Sequence, residues 1–281
     1  GDDPLTQVKS TPYIYRVSFS TSLATPPMGA WAYKKGYRKA VVIAGDYPAG
    51  WQHIGGFART FTEAGGEIIQ EIYTPLGSPD FAPYITSINR GADVVYAFES
   101  GSDALSFVTQ YAEYGLNRQI PLLGRALTDE DVLQKEGDAA LGIIMSTTFL
   151  PILDRPQMKT FVAAFGQKFG RPVTQYAEAG YIGAMALEAA LQSTKGNIED
   201  VDSFLKALSV VQVEGPSSPI KFDQYHNAVR NIYFIEAKKV EGKLVNAAIE
   251  TLPQVSQFWT WTPEEFMKMP PYNDMKGKWA K

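Results

Sequence analysis

The run Ala40-Val-Val-Ile-Ala44 constrains this chain more than any other stretch. It is short and apolar throughout, as a strand covered on both faces must be. Gly45 and Asp46 end it, and Pro48 and Gly50 shape an irregular turn. From Trp51 the spacing turns helical, with Ile54, Phe57 and Phe61 on one face. Strand, loop and helix in this order form the repeating unit of an open α/β sheet. Loops at the carboxyl ends of such strands are where ligands bind, because helix N-termini and free backbone groups converge there. Tyr47 stands at the tip of this loop, and the local pattern admits both a turn residue and a ligand contact.

The unit recurs. Glu67–Tyr73 reads as a strand, and Pro79–Ile88 as a helix with Phe81, Tyr84, Ile85 and Ile88 in line. Asp93–Phe98 is a second buried strand, Ser102–Tyr114 a helix closed by Gly115, and Pro121–Gly124 a short strand. Thr128–Gln134 reads as a short helix. The alternation from Lys39 to about Gly124 predicts a parallel, doubly wound sheet. Before it, Tyr13–Phe19 alternates as a strand does, and Pro26-Pro27 opens a helix that stops at Gly36. After it come a strand at Ile143–Phe149 and helices at Gln157–Phe169, Gln175–Thr194 and Asp200–Leu208. Asn231–Ala237 and Leu244–Ile249 form a hairpin about Glu241-Gly242. The tail beyond Pro253, with Trp259, Trp261, Phe266 and Trp279, reads as a packed strap rather than a cofactor box.

Composition narrows the function. At 281 residues the chain can hold two modest domains or one large one. A net charge of -4 offers no footprint for nucleic acid. With no cysteine there is no disulfide, thiolate metal site or cysteine nucleophile. No phosphate-binding loop, dinucleotide fingerprint or nucleophile elbow occurs, and His53 and His226 lack ligand-like spacing. The acidic run Asp129-Glu130-Asp131 is explained by the dipole of a helix start. The chain lacks the parts of a common enzyme, and neither a cofactor nor a metal site is expected. Three loops remain at the carboxyl ends of the predicted strands: Asp46-Tyr47-Pro48, Glu99-Ser100-Gly101 and Arg125-Ala126-Leu127-Thr128. A ring, a carboxylate with a hydroxyl, and a guanidinium suit a small anionic ligand. An internal Arg125–Glu99 ion pair is the competing reading.

At this point the chain resembles the branched-chain amino acid type of substrate-binding protein of ABC importers, which has the two-lobe type I periplasmic binding fold. The resemblance rests on Gly36–Ile43, Asp46–Gly50, Phe61–Glu67, Asp80–Ile85 and Ala92–Phe98, with Tyr13–Phe19, Phe161–Phe165 and Gln175–Tyr181. It implies two α/β lobes with doubly wound parallel sheets, a periplasmic location, a small carboxylate ligand in an interlobe cleft and delivery to a membrane permease. Carried over, it puts Tyr47, Phe98, Glu99, Ser100 and Arg125 on the ligand from the C-terminal lobe, and Tyr176 and Glu178 from the other lobe. The family's amino acid binders usually carry a carboxylate near the position of Arg125. A cation there favours an aromatic or dicarboxylic acid over a simple amino acid. The family's opening strand, glycine-rich turn and serine-containing loop have no counterpart, so the first lobe is expected to be incomplete. The implied division is 1–13 as the end of the N-terminal lobe segment, 14–150 as the C-terminal lobe, 151–225 as part of the N-terminal lobe, and 226–281 as a return to the C-terminal lobe plus tail. Such a chain would associate with a second copy or with the missing N-terminal segment. A ligand-sensing domain of a regulator or receptor with the same fold is the alternative.

Overall fold

The computed structural model describes residues 1–280. Two compact units divide the chain. The first comprises 1–23, 148–232 and 251–267; the second comprises 24–147, 233–250 and the segment from Lys268 onward. These bounds differ from the expected ones at the N-terminus, where residues 14–23 group with the first unit, and again at 226–232 and 251–267.

The second unit is a parallel α/β sheet. Its strands β1 (Lys39–Gly45), β2 (Glu67–Thr74), β3 (Val94–Phe98), β4 (Leu122–Arg125) and β5 (Ile144–Thr147) lie side by side in the order β2-β1-β3-β4-β5, all parallel. Its helices are α1 (Thr25–Lys34), α2 (Pro48–Glu63), α3 (Ala82–Ser87), α4 (Ser102–Glu113) and the short α5 (Leu133–Glu136). β1 is buried from Ala40 to Gly45 and β3 along its whole length, as apolar runs covered on both faces must be. Phe57 of α2 stacks on Tyr96 of β3 at 4.2 Å, and Trp31 of α1 stacks on Phe234 at 5.2 Å. Each fully buried aromatic of this kind contributes roughly 1.5–3 kcal/mol through the surface it removes from water. The acidic stretch after β4 is mostly turn, and helix begins only at Leu133.

The first unit carries α6 (Pro156–Phe169), α7 (Gln175–Ser193) and α8 (Val201–Ser209) with an antiparallel ladder of β6 (Gln212–Glu214), β7 (Pro219–Phe222) and the start of β8 (Ala228–Val240). The Thr174 hydroxyl accepts the Ala177 N–H at the head of α7, and the Asp200 carboxylate accepts that of Ser203 at the head of α8. Ile182 of α7 packs on Ile220 and Ala228, and Ala186 and Ala190 pack on Leu208 and Val211. The expected strand at Tyr13–Phe19 is absent. Only Arg16 bridges to Asn227, and its buried guanidinium is tied to the Thr6 hydroxyl and the Asp2 carbonyl. Those side-chain bonds hold the segment irregular.

The hairpin is longer than its alternation suggested: β8 is followed by β9 (Lys243–Val255) across Glu241 and Gly242, with φ of 50° and 78°. Positive φ at both turn residues matches the right-handed twist of the flanking strands. Within the second unit, Tyr233–Glu236 of β8 pairs antiparallel with β5. After α9 (Pro263–Lys268) the tail is a strap, as expected. Arg59 donates to the Pro270 carbonyl and lies 4.3 Å over the ring of Tyr272, and the Glu71 carboxylate accepts the N–H groups of Gly277, Trp279 and Ala280.

Candidate ligand site

Register brings three of the predicted loops to one rim of the second unit. Ala44 of β1 aligns with Phe98 of β3, and Phe98 with Arg125 of β4. The residues that follow these strands therefore emerge side by side at carboxyl ends that all point one way. Tyr47 is extended, with φ -155° and ψ 169°, and serves as the N-cap position of α2. Its ring is 6.2 Å from that of Phe98. The approach of α2 to the strand end depends on Gly50, where a β-carbon would come within 2.0 Å of the Gly45 carbonyl oxygen. Asp46 beside it accepts from the Trp51 indole at 2.9 Å and from Lys276 of the strap.

Arg125 is 3% exposed, with its guanidinium 3.7 Å from the carboxylate of Asp129, four residues on. Glu99 bonds elsewhere: the Thr74 hydroxyl at the end of β2 donates to it at 2.8 Å. The Arg125–Glu99 ion pair is thus not among the contacts of the described residues. Burial pushes the Glu99 carboxyl up to about 8, so it is largely protonated at neutral pH. Ser100 is exposed, and Gly101 starts α4 at φ 58°. Directly after Arg125, Ala126 is held at φ 61°, a left-handed conformation that a side chain disfavours. Strain of this kind collects at functional sites.

Two residues beside the rim were not among the expected site residues. His53 of α2 is buried with its ring 3.7 Å from Phe98, and burial, then the Arg125 charge, holds its imidazole well below its ordinary range. Tyr96 lies one step below Phe98 on the same face of β3. His53 could have been found from its spacing, four residues before Phe57 on the buried stripe of α2.

Tyr176 and Glu178 lie on α7 in the first unit, in opposite environments. Tyr176 is 66% exposed. Glu178 is fully buried, with one carboxylate oxygen 2.5 Å from Arg230 and the other accepting the Ser217 N–H at 2.7 Å. Both of its oxygens are thus committed within the unit, one to Arg230 and one to Ser217. No helix among the described residues is long and apolar enough to cross a membrane, and no group of three or more His, Asp or Glu side chains among them could hold a metal ion.

A family model described as periplasmic binding protein matches residues 4–243. A Leu/Ile/Val-binding protein homolog 6 of Brucella melitensis is 31% identical over 252 residues, an alignment covering 87% of this chain and 64% of the relative. The chain therefore spans just under two thirds of that relative's length. Among solved structures, an ABC transporter substrate-binding protein from Sphaerobacter thermophilus superposes with a TM-score of 0.88 at 34% identity, covering 92% of this chain and 72% of that one. A solute-binding protein of an ABC transporter from Rhodopseudomonas palustris BisB5, in complex with 3,4-dihydroxybenzoic acid, does so with a TM-score of 0.84 at 33% identity, covering 92% and 71%. Its parallel strands, the order of its helices and these matches together make the chain a member of the periplasmic binding protein family, of the branched-chain amino acid type found with ABC transporters.

Proposed function

We propose that the chain is the solute-capturing part of an ABC importer, that it works in the periplasm, and that its ligand is a small aromatic carboxylate handed on to a membrane permease. The observation that carries this reading is the cation at the rim. Arg125 is buried at the carboxyl end of β4 in register with Phe98, whose ring meets those of Tyr47 and His53. A guanidinium offers paired N–H donors to a carboxylate, and flat rings offer a surface to an aromatic body. Glu99, kept protonated by burial, offers a neutral acid rather than the anion an ammonium group would need. That argues against an α-amino acid. A relative bound to a dihydroxybenzoic acid supports the same class. Tyr47, Phe98, Glu99, Ser100 and Arg125 are the proposed contacts in the second unit. No bond is made or broken; ligand that prefers one conformation shifts the population toward it, and the permease reads that conformation. Titration with benzoate and with leucine, followed by melting temperature, tests the reading: benzoate raises it in a dose-dependent way and leucine does not. A rise with leucine alone would reject the aromatic class.

A further reading of the partners rests on α7. Ala184, Leu187 and Leu191 recur at helical spacing on its solvent side, with Leu187 and Leu191 49% and 38% exposed. An unpartnered apolar stripe of this kind is a surface that another polypeptide covers. The occupant we propose is a segment supplying the part of the relatives' length that this chain does not span. Light scattering of the chain alone should report a monomer that binds a hydrophobic dye at this face; a stable dimer that loses dye binding would assign the stripe to a second copy.

A further inference from the structure

Among the buried polar atoms of the second unit without hydrogen-bond partners are the Tyr96 hydroxyl, the Ser146 hydroxyl and His53 Nδ1. Their side chains are 0%, 0% and 3% exposed. One orphan of this sort is unremarkable, but these three share a place. Tyr96 aligns with Leu123, Phe98 with Arg125, and Leu123 with Ile144. Partners in register on parallel strands project from the same face, and side chains two apart on one strand do so too. Tyr96, Phe98, Arg125 and Ser146 therefore stand on one face of β3, β4 and β5. α2 lies over that face, with Phe57 on Tyr96 and His53 on Phe98. The Arg125 charge acts on both the His53 ring and the Tyr96 hydroxyl, which sets all three within electrostatic reach.

The chemistry of the set is specific. Tyr and Ser hydroxyls can each donate one hydrogen bond, and a neutral imidazole can donate from one nitrogen. Beside a guanidinium they make a group whose hydrogens can all be turned toward one acceptor, with a single positive charge. A buried donor left unpaired costs stability, so a fold that keeps three of them together is pre-organised for an acceptor. A carboxylate accepts at both oxygens along several lone-pair directions and carries the matching charge.

We propose that Tyr96, Ser146 and His53 form an inner socket beneath the rim that, with Arg125, receives the carboxylate of the ligand and sets its specificity for acids that carry no neighbouring ammonium. This rests on the aromatic-acid reading above. It adds residues that the rim loops do not contain and predicts where the charged end goes: inward, under α2, rather than toward solvent.

The test uses the chain with benzoate as probe and the variants Tyr96→Phe and Ser146→Ala, each removing one hydroxyl and little else. Tyr96→Phe keeps the ring stacked on Phe57. The expected result is a pair of opposite changes. Without benzoate the melting temperature of Tyr96→Phe equals or exceeds that of the parent, because an unpaired buried hydroxyl is gone. With benzoate the stabilisation shrinks, and the dissociation constant rises about tenfold, the scale of one hydrogen bond to a charged group. Ser146→Ala behaves alike. If the hydroxyls instead bond internal water, the variants lose stability without benzoate and bind it with the parent's affinity, which overturns the socket. If Arg125→Ala weakens benzoate while both hydroxyl variants leave it unchanged, the socket fails and the aromatic-acid reading survives. If benzoate at tens of millimolar neither shifts the melting temperature nor perturbs the parent's NMR spectrum, that reading falls and takes the socket with it.

Discussion

Removing Arg230 should be among the most damaging single changes in the first unit. Arg230 and Glu178 are 1% and 0% exposed and meet at 2.5 Å. The second carboxylate oxygen of Glu178 accepts the Ser217 N–H at 2.7 Å, and Arg230 donates to the Ser18 carbonyl at 3.2 Å. Arg230→Met would leave a buried carboxylate with one backbone donor and no countercharge. Such a loss costs about 3–5 kcal/mol, because the desolvation of the remaining ion is no longer offset. Glu178→Met should cost a similar amount by stranding the guanidinium, whose Nε already lacks a partner. The double variant should cost far less than the sum, since two apolar side chains replace two charges of like volume. A double-mutant cycle would then give a coupling of several kcal/mol, above the roughly 0.5–3 kcal/mol of ordinary contact pairs. Urea denaturation supplies the free energies, and hydrogen exchange on α7 peptides reports the unit in which the loss occurs. Single variants within about 1 kcal/mol of the parent, or strictly additive effects, would show that this pair contributes nothing beyond its parts.

Acid should favour the fold over the range in which the buried carboxyls differ from the unfolded chain. Burial raises Glu99 and Glu136 to about 8 from the ordinary 4.5, with Asp129 and Asp131 adding to the shift of Glu136. Below pH 4.5 each is protonated in both states; between 4.5 and about 8 the unfolded chain alone gives up the proton. Stability should therefore fall as pH rises through this window, on the order of 1 kcal/mol per pH unit for each group. Glu136→Gln should flatten the profile, and a profile unchanged by that variant would contradict the assignment. At the rim, Ala126→Gly should stabilise the protein by about 1 kcal/mol by relieving the left-handed backbone at φ 61°; a lower urea midpoint would show that the Ala126 methyl, itself buried, matters more than the strain.

What could be read from the sequence was what local chemistry decides. The apolar runs at Ala40–Ala44 and Asp93–Phe98 and the helices between them implied parallel strands, and that order fixed which loops share a rim. The shared rim of the loops that hold Tyr47, Glu99 and Arg125 followed from it. What remained hidden depends on partners distant in the chain. The pairing of Glu178 with Arg230 could not be read, because the two lie 52 residues apart. The alternation at Tyr13–Phe19 has the period of a strand, but a strand also needs a neighbour, and only Arg16 finds one. Tyr96 and Ser146 read as ordinary strand residues, since only the register of β3 to β5 sets them under one helix.

Calorimetric titration of benzoate into the chain and into Arg125→Ala tests the central claim directly. The account predicts binding that weakens by about 1.5–3 kcal/mol in the variant, the loss of a hydrogen-bonded charge pair, or roughly 10- to 150-fold in dissociation constant. An affinity unchanged by the substitution would return Arg125 to its contact with Asp129 and leave the rim without its anchor.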